Sequence, residues 1–456
     1  MRFVIRLLLV AIVVAIGAWF WAGRAEGPRI ELRQPDRFIG QAGTLELLVE
    51  APGGQFSTVD VVLEQGGKTI PVFTLDQPGG PVRQDSADRL YVSRPIGKKT
   101  MPDLQPGPAR IVARAARPVL YGIRQASSEL AREVVVRLDP PRVGVLSTIH
   151  YVNHGGAEFV VYRAEPADVE SGIRVGDVTY PGFPASGVGI KVNDTTRVAF
   201  FALLNDQDVN TPVQIYARDA AGNEASTPLD RRAFPKTFQR SRIALDDAFL
   251  GKVVPSIAAT TPDMQLSTAP QDLLASFLRI NRDLRQRNNQ TIMDLAAKTA
   301  PQMLWSGTFT PLTNASVEAR FADNRTYVYQ GKEVDRQVHL GFDLAVTQMV
   351  PVLSAQAGRV LYAADLGIYG NCVIVDHGLG VQSLYAHLSS IDVKAGDTVT
   401  NGQQLGRSGM TGLAAGDHLH FTMLLNGRAV NAVEWWDPKW TEDRVTRKIR
   451  EAGGGV

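Results

Sequence analysis

Residues 7–22 read LLLVAIVVAIGAWFWA, an apolar run with no polar face. Such a segment cannot be one side of an amphipathic core helix, so it constrains everything that follows it. Spanning a hydrocarbon core takes about 20 apolar residues, with a lower limit near 17. Phe3 to Ile5 extend the run across Arg6, whose long side chain can snorkel to the headgroups. Trp19 and Trp21 stand at the far end, where amphipathic rings favour the membrane interface. Arg2 and Arg6 precede the run and place its N-terminal side in the cytoplasm. A cleaved signal peptide has the same charged start and apolar stretch, but bulky Trp19, Phe20 and Trp21 crowd its cleavage zone. The expected arrangement is therefore an uncleaved single-pass anchor (residues 1–27) in the inner membrane, with the rest of the chain periplasmic or extracellular.

A length of 456 residues exceeds one hydrophobic core. Lys plus Arg is 48 against Asp plus Glu at 46, so no charge excess points to nucleic acid. Cys372 is the single cysteine, which excludes an internal disulfide and a cysteine metal cluster. Any metal site must draw on histidines and carboxylates.

After the anchor come short strand-like runs at 45–50, 59–64, 69–75, 111–114 and 134–138. Turn clusters at 51–54, 77–80 and 105–108 separate them, a punctuation that suggests a β-sandwich over 28–139. Pro140 and Pro141 break both ladders and helices and mark a boundary. A second β-rich region, 140–235, has buried-strand patterns at 159–163 and 198–204. Residues 216–223 (YARDAAGN) resemble the last strand and exit turn of bacterial immunoglobulin-like modules. From Ile243 the pattern turns helical, with Thr268 and Gln271 spaced as a capping box. Residues 236–301 are therefore read as a helical linker. Its apolar face suits docking on a neighbouring domain, either as a purely structural linker or as a segment that limits access to that domain's groove. Residues 302–438 return to short strands and glycines, and 439–456 read as a frayed, charged tail. The fold class is mainly β: two sandwiches, a helical linker and a C-terminal antiparallel sheet domain.

Five of seven histidines lie between His339 and His420. His339 and Asp343 offer an imidazole nitrogen and a carboxylate oxygen, both common zinc ligands. In an extended strand they would stand about 13 Å apart. Gly341, which tolerates backbone conformations other residues avoid, lets the chain curl between them. His418 and His420 are two apart, so a strand would present both on one face. His387 falls in a hairpin with arms 371–377 and 381–388. Period two sets it beside Ser383 and Tyr385 and opposite Leu384, Ala386 and Leu388. His377, beside the turn, reads as structural, and Cys372 as a small buried strand residue.

The ordered series His339-x-Gly-x-Asp343, Tyr385-x-His387-Leu, Gly396-Asp-x-Val399, Gly402-Gln403, Gly409-x-Thr-Gly412 and His418-Leu-His420-Phe resembles the lysostaphin/LytM-type zinc peptidases. The resemblance covers 302–438, under a third of the chain. It implies one zinc ion on His339, Asp343 and His420, with His387 and His418 flanking the reacting water. It also implies peptide cross-links of cell-wall peptidoglycan as substrate. His418 is assigned as the base. His387 either donates to the oxyanion or polarises the water. All five positions are occupied, which favours an enzyme over a regulator that has lost its ligands. The alternatives are a non-hydrolytic scaffold of envelope complexes, recruiting envelope proteins through the sandwiches, and a peptidase for exported proteins.

Overall fold

The computed structural model describes residues 2–51, 54–76, 82–86, 88–191 and 193–453. The turn expected at 77–80 and the centre of the one at 51–54 lie outside them. The apolar run forms the helix Arg2–Ala22, of which residues 3–22 are long and apolar enough to cross a membrane.

The chain divides into two compact units. The first holds residues 1–141 and 218–225. One sheet orders Arg29–Gln34, Gly43–Glu50, Arg89–Ile96 and Val82–Ser86; the other orders Phe38–Ile39, Arg124–Val136, Gly107–Val119, Thr58–Gln65 and Lys68–Thr74. Alternation drives them together: Leu45, Leu47 and Val49 from one, and Val59, Val61 and Leu63 from the other, point into a shared core. The hairpin Gly107–Val119 with Arg124–Val136 is much longer than the sequence runs at 111–114 and 134–138 suggest.

The second unit holds residues 142–217 and 226–456. Its β-rich start includes the sheet Arg142–Val145, Ala157–Glu165, Thr196–Ala202 and Phe183–Pro184. An eight-stranded antiparallel sheet carries the site. Its order is Ser316–Ala319, Phe342–Ala345, Leu419–Leu425, Val381–Leu388, Asn371–Gly378, Gly358–Asp365 and Thr398–Val399, with Arg428–Val430 paired to Leu419–Leu425. One continuous apolar core runs from Val152 through Phe421 to Ile449. Phe200 meets Trp435 at 5.5 Å between ring centroids, so this β-region and the sheet domain share a core.

Three expectations are corrected. Ile243 lies in the strand Arg240–Leu245, parallel to Asp323–Tyr329, and helix begins only at Asp247 behind the Asp246 cap. The segment 236–301 is thus partly strand. Its apolar face is spent in a core with Tyr327 and Ile368. The Thr268–Gln271 capping box does not form; Ser267 Oγ instead donates to Asp272 Oδ2 at 2.7 Å. The supposed frayed tail is helical through Glu451, and Val445, Lys448 and Ile449 are buried. Lys448 Nζ reaches Glu158 Oε1 and Phe159 O, each at 2.8 Å. The tail's charges disguised this: Lys448 is an interior partner of a buried carboxylate.

Candidate metal centre

Three strands converge on one point. His339 ends Lys332–His339, Asp343 sits in Phe342–Ala345, and His420 lies directly opposite Asp343 in Leu419–Leu425. Asp343 Oδ1 is 2.9 Å from both His339 Nε2 and His420 Nδ1, and those two nitrogens are 3.0 Å apart. All three side chains are buried.

The protonation of each ring follows from its outer partner. A carbonyl only accepts, so the proton of His339 is on Nδ1, donated to Arg320 O at 3.1 Å. Thr422 Oγ1 donates to Leu340 O at 3.0 Å and so must accept from His420 Nε2–H, also at 3.0 Å. In the neutral form of each ring both inner nitrogens are bare lone pairs aimed at each other and at a carboxylate oxygen. Three acceptors so close repel unless a cation lies among them. A tetrahedral zinc with bonds of about 2.0–2.1 Å spaces its ligand atoms by about 3.3–3.4 Å, and these residues fit that donor set. Arg325 Nη2 donates to the other oxygen, Asp343 Oδ2, at 3.1 Å, leaving Oδ1 to face the two histidine nitrogens. Burial opposes ionisation of Asp343, but positive charge among the surrounding His339, His418 and His420 outweighs it and holds the carboxyl well below the usual range, a charge that a bound cation supplies once the rings are neutral. Burial pushes His420 down to about 4, so it stays neutral near pH 7.

Gly341 serves a different purpose from the one its flexibility suggested. Its backbone is not left-handed. A Cβ there would stand 2.6 Å from His420 Cε1 and Nε2 and from Thr422 Oγ1, so glycine leaves room for the ligand ring.

His387 and His418 flank the triad. His418 precedes its strand, in a single bridge to Gly409, with Nε2 3.5 Å from Asp343 Oδ1. The His387 and His418 ring centroids are 4.9 Å apart. Strand alternation fails at His387, which has φ of 62°. That left-handed residue, unusual for a side chain other than glycine, shifts the register and turns Leu388 into the core that holds Tyr385. Ser383 and Tyr385 accordingly do not accompany His387 into the cleft. Ser383 Oγ bonds His377 Nε2 at 2.7 Å and Tyr385 Oη at 2.9 Å in a buried chain. The turn Gly409–Gly412 holds the kink, with Thr411 O accepting from His387 Nδ1 at 2.8 Å. Gly412, at φ of 69°, packs so close to Gly370 that a Cβ would stand 2.4 Å from its amide nitrogen.

Residues 337–432 match the model of peptidase family M23. The C-terminal domain is a family M23 metallopeptidase domain. An uncharacterized metalloprotease of Haemophilus influenzae is 40% identical over 118 residues, 26% of this chain and 24% of that protein. The peptidoglycan DD-endopeptidase ShyA of Vibrio cholerae is 40% identical over 96 residues, 21% of this chain and 22% of that one. The chain thus spans about a quarter of the length of these curated relatives. The catalytic domain of the antimicrobial peptidase lysostaphin from Staphylococcus simulans is 26% identical, covering 28% of this chain and 96% of that domain, with a TM-score of 0.24.

The M23 domain's cleft is a cavity of about 490 Å³ lined by all five of these residues. Phe249, Phe277 and Arg285, from the helices of 247–296, form part of its wall. Tyr369 packs against His420 at 5.7 Å and hydrogen-bonds Asn289 in that helical segment at 3.3 Å. Sequence reasoning missed Thr422 and Arg325. Thr422 was within reach, because it lies two residues beyond His420 on the same strand face. Nothing in spacing points to Arg325, which arrives from a separate strand.

Proposed function

We propose that this chain is a membrane-anchored zinc endopeptidase that hydrolyses peptide cross-links of peptidoglycan. The observation that carries this reading is the convergence of His339 Nε2, Asp343 Oδ1 and His420 Nδ1, each freed for a cation by its outer hydrogen bond. When bound, zinc supplies Lewis acidity, which polarises a scissile carbonyl and acidifies a water.

The protein's own groups do the rest. His418 donates Nδ1–H to Gly416 O at 2.9 Å and so presents Nε2 as an acceptor in the cleft. It takes the proton of the attacking water, and nearby Asp343 stabilises the resulting imidazolium. Burial lowers the pKa of His418, but Asp343 outweighs it and the net shift is upward. His387 also presents Nε2, since Thr411 O holds its other proton. Burial, followed by the neighbouring His418, keeps His387 well below its ordinary pKa. A neutral ring with Nδ1–H has no Nε2 proton to donate. Of its two expected roles, His387 therefore suits accepting from and orienting the water rather than donating to the oxyanion. The substrate is the one named for ShyA, a peptidoglycan DD-endopeptidase. The apolar helix keeps the enzyme at the inner membrane, facing the periplasm. The β-rich regions set reach and are open to envelope proteins.

The test is zinc stoichiometry together with digestion of purified cell wall by wild type and His420→Ala. One zinc per chain and loss of both zinc and digestion in the variant are expected. Absence of zinc, or equal digestion by both proteins, sinks the enzyme reading.

A further inference from the structure

The long hairpin of the first unit ends in an unusual surface. Its tip, Val119-Leu-Tyr-Gly-Ile123, is apolar, and Tyr121 and Ile123 are 103% and 71% exposed. Arg117 and Arg124 flank the tip, and no acidic residue occurs from 117 to 125. A monomer gains nothing by holding a large aromatic ring wholly in water at the end of a stiff ribbon.

The neighbours of this hairpin give its depth. A Cβ on Gly27 would collide with the backbone of Ser127. One step further out, Arg117 Nε donates to Glu26 O at 2.8 Å. Further still, Arg124, paired with Val119, donates from Nη1 to Trp19 O at 2.9 Å and lies 5.0 Å from the Trp19 ring centroid. The contacts step from residue 27 back to residue 19 as the hairpin runs toward its tip. The ribbon therefore runs alongside the chain toward the apolar helix, and the Arg124 guanidinium reaches past the helix end at Ala22 to Trp19. Trp19 already lies about 4.5 Å inside that end, at 1.5 Å per residue. The four-residue turn Leu120–Ile123 caps the ribbon just beyond the Val119–Arg124 pair.

We propose that this hairpin tip is a second membrane contact, dipping Tyr121 and Ile123 into the headgroup boundary of the bilayer that the N-terminal helix spans. The proposal rests on reading that helix as a membrane anchor. Continuity with the apolar helix identifies the occupant as lipid, because the Arg124 guanidinium at the base of the tip lies beside Trp19, where aromatic belts sit. The flanking arginines suit anionic headgroups. Tyrosine carries an apolar body and a polar tip, which suits the boundary rather than the hydrocarbon centre. A helix alone leaves the first unit free to swivel; a second contact restrains its tilt on the membrane.

The test uses the full chain in vesicles of phosphatidylethanolamine and phosphatidylglycerol. Nitroxide labels are placed on Tyr121→Cys, Ile123→Cys, Lys68→Cys and Ile12→Cys, each in a Cys372→Ser background. The readout is collisional accessibility to oxygen against a water-soluble nickel chelate. Labels at 12, 121 and 123 should favour oxygen, with 12 the deepest, while the exposed position 68 favours nickel. Positions 121 and 123 matching position 68 while position 12 is deep would overturn the hairpin contact alone. If position 12 also reads as aqueous, the anchor reading fails and the proposal falls with it.

Discussion

Replacing Thr422 with valine tests the metal centre through an atom that touches no metal. The substitution keeps the branched shape and removes one hydroxyl. That hydroxyl accepts His420 Nε2–H and donates to Leu340 O, each at 3.0 Å, in a site where Thr422 is buried. Presenting Nδ1 to a cation requires the proton on Nε2, and in the Thr422→Val protein that proton has no acceptor. An unsatisfied buried donor costs about 1–3 kcal/mol. The metal-free protein can escape by moving the proton to Nδ1, so the cost falls on the metal-bound state. Zinc affinity should fall about 5- to 150-fold, at about 1.4 kcal/mol per decade. Outer-shell partners of metal ligands are generally worth about 10–100-fold, the same range. Competition with a chromophoric chelator measures the affinity, and Thr422→Ser, which keeps the hydroxyl, should bind nearly as wild type. If Thr422→Val binds zinc as tightly as the wild type, the assignment of Nδ1 as the coordinating atom is wrong.

Other substitutions probe the parts of the structure that surround this centre. Gly341→Ala drives a methyl to within 2.6 Å of His420 and Thr422; it should cost about 1–3 kcal/mol of stability and displace the ligand ring, read as a lowered Tm with substoichiometric zinc. Lys448→Met removes the nearer of the two cations on buried Glu158, leaving Arg444 at 3.9 Å, and should cost up to about 3–5 kcal/mol in denaturant unfolding, whereas a frayed tail would give no change. Burial pushes His377 from 6.5 down to about 4, so the folded state binds fewer protons than the unfolded state between those values. Stability should therefore fall as pH drops through 6.5 toward 4, by up to about 3 kcal/mol from this residue. His377→Gln should flatten the stability curve in that window, and an unchanged slope would refute the assignment.

Much of the centre was legible because its residues are rare and chemically distinctive. His339, Asp343, His387, His418 and His420 stand out as types able to bind metal or carry protons, and their order along the chain is itself a pattern. The hairpin arms around Gly378 and Gly380 were equally visible, since alternation and turn glycines are local properties. Alternation misled at one residue, His387, where hydrogen bonds from the distant turn Gly409–Gly412 hold a left-handed backbone that no neighbour in sequence requires. The helical segment was visible as apolar periodicity, but its place in the cleft wall was not, because periodicity marks a buried face without naming what it meets.

Sequence alone determined the apolar helix, the β-rich character and the identities of the residues that can ligate a cation. These follow from local composition, strand period and side-chain chemistry, which need no distant partner. Tertiary structure decided the outer hydrogen-bond partner of each ring, the reason for Gly341, the interior role of Lys448 and the place of the Tyr121 hairpin beside the apolar helix. Each depends on an atom brought close by folding: Thr422 and Arg320 beside the histidines, Glu158 beside the last helix, and Trp19 beside Arg124. A chain read in order carries the types of these groups but not their separations, and hydrogen bonds, collisions and buried charges are set by separation.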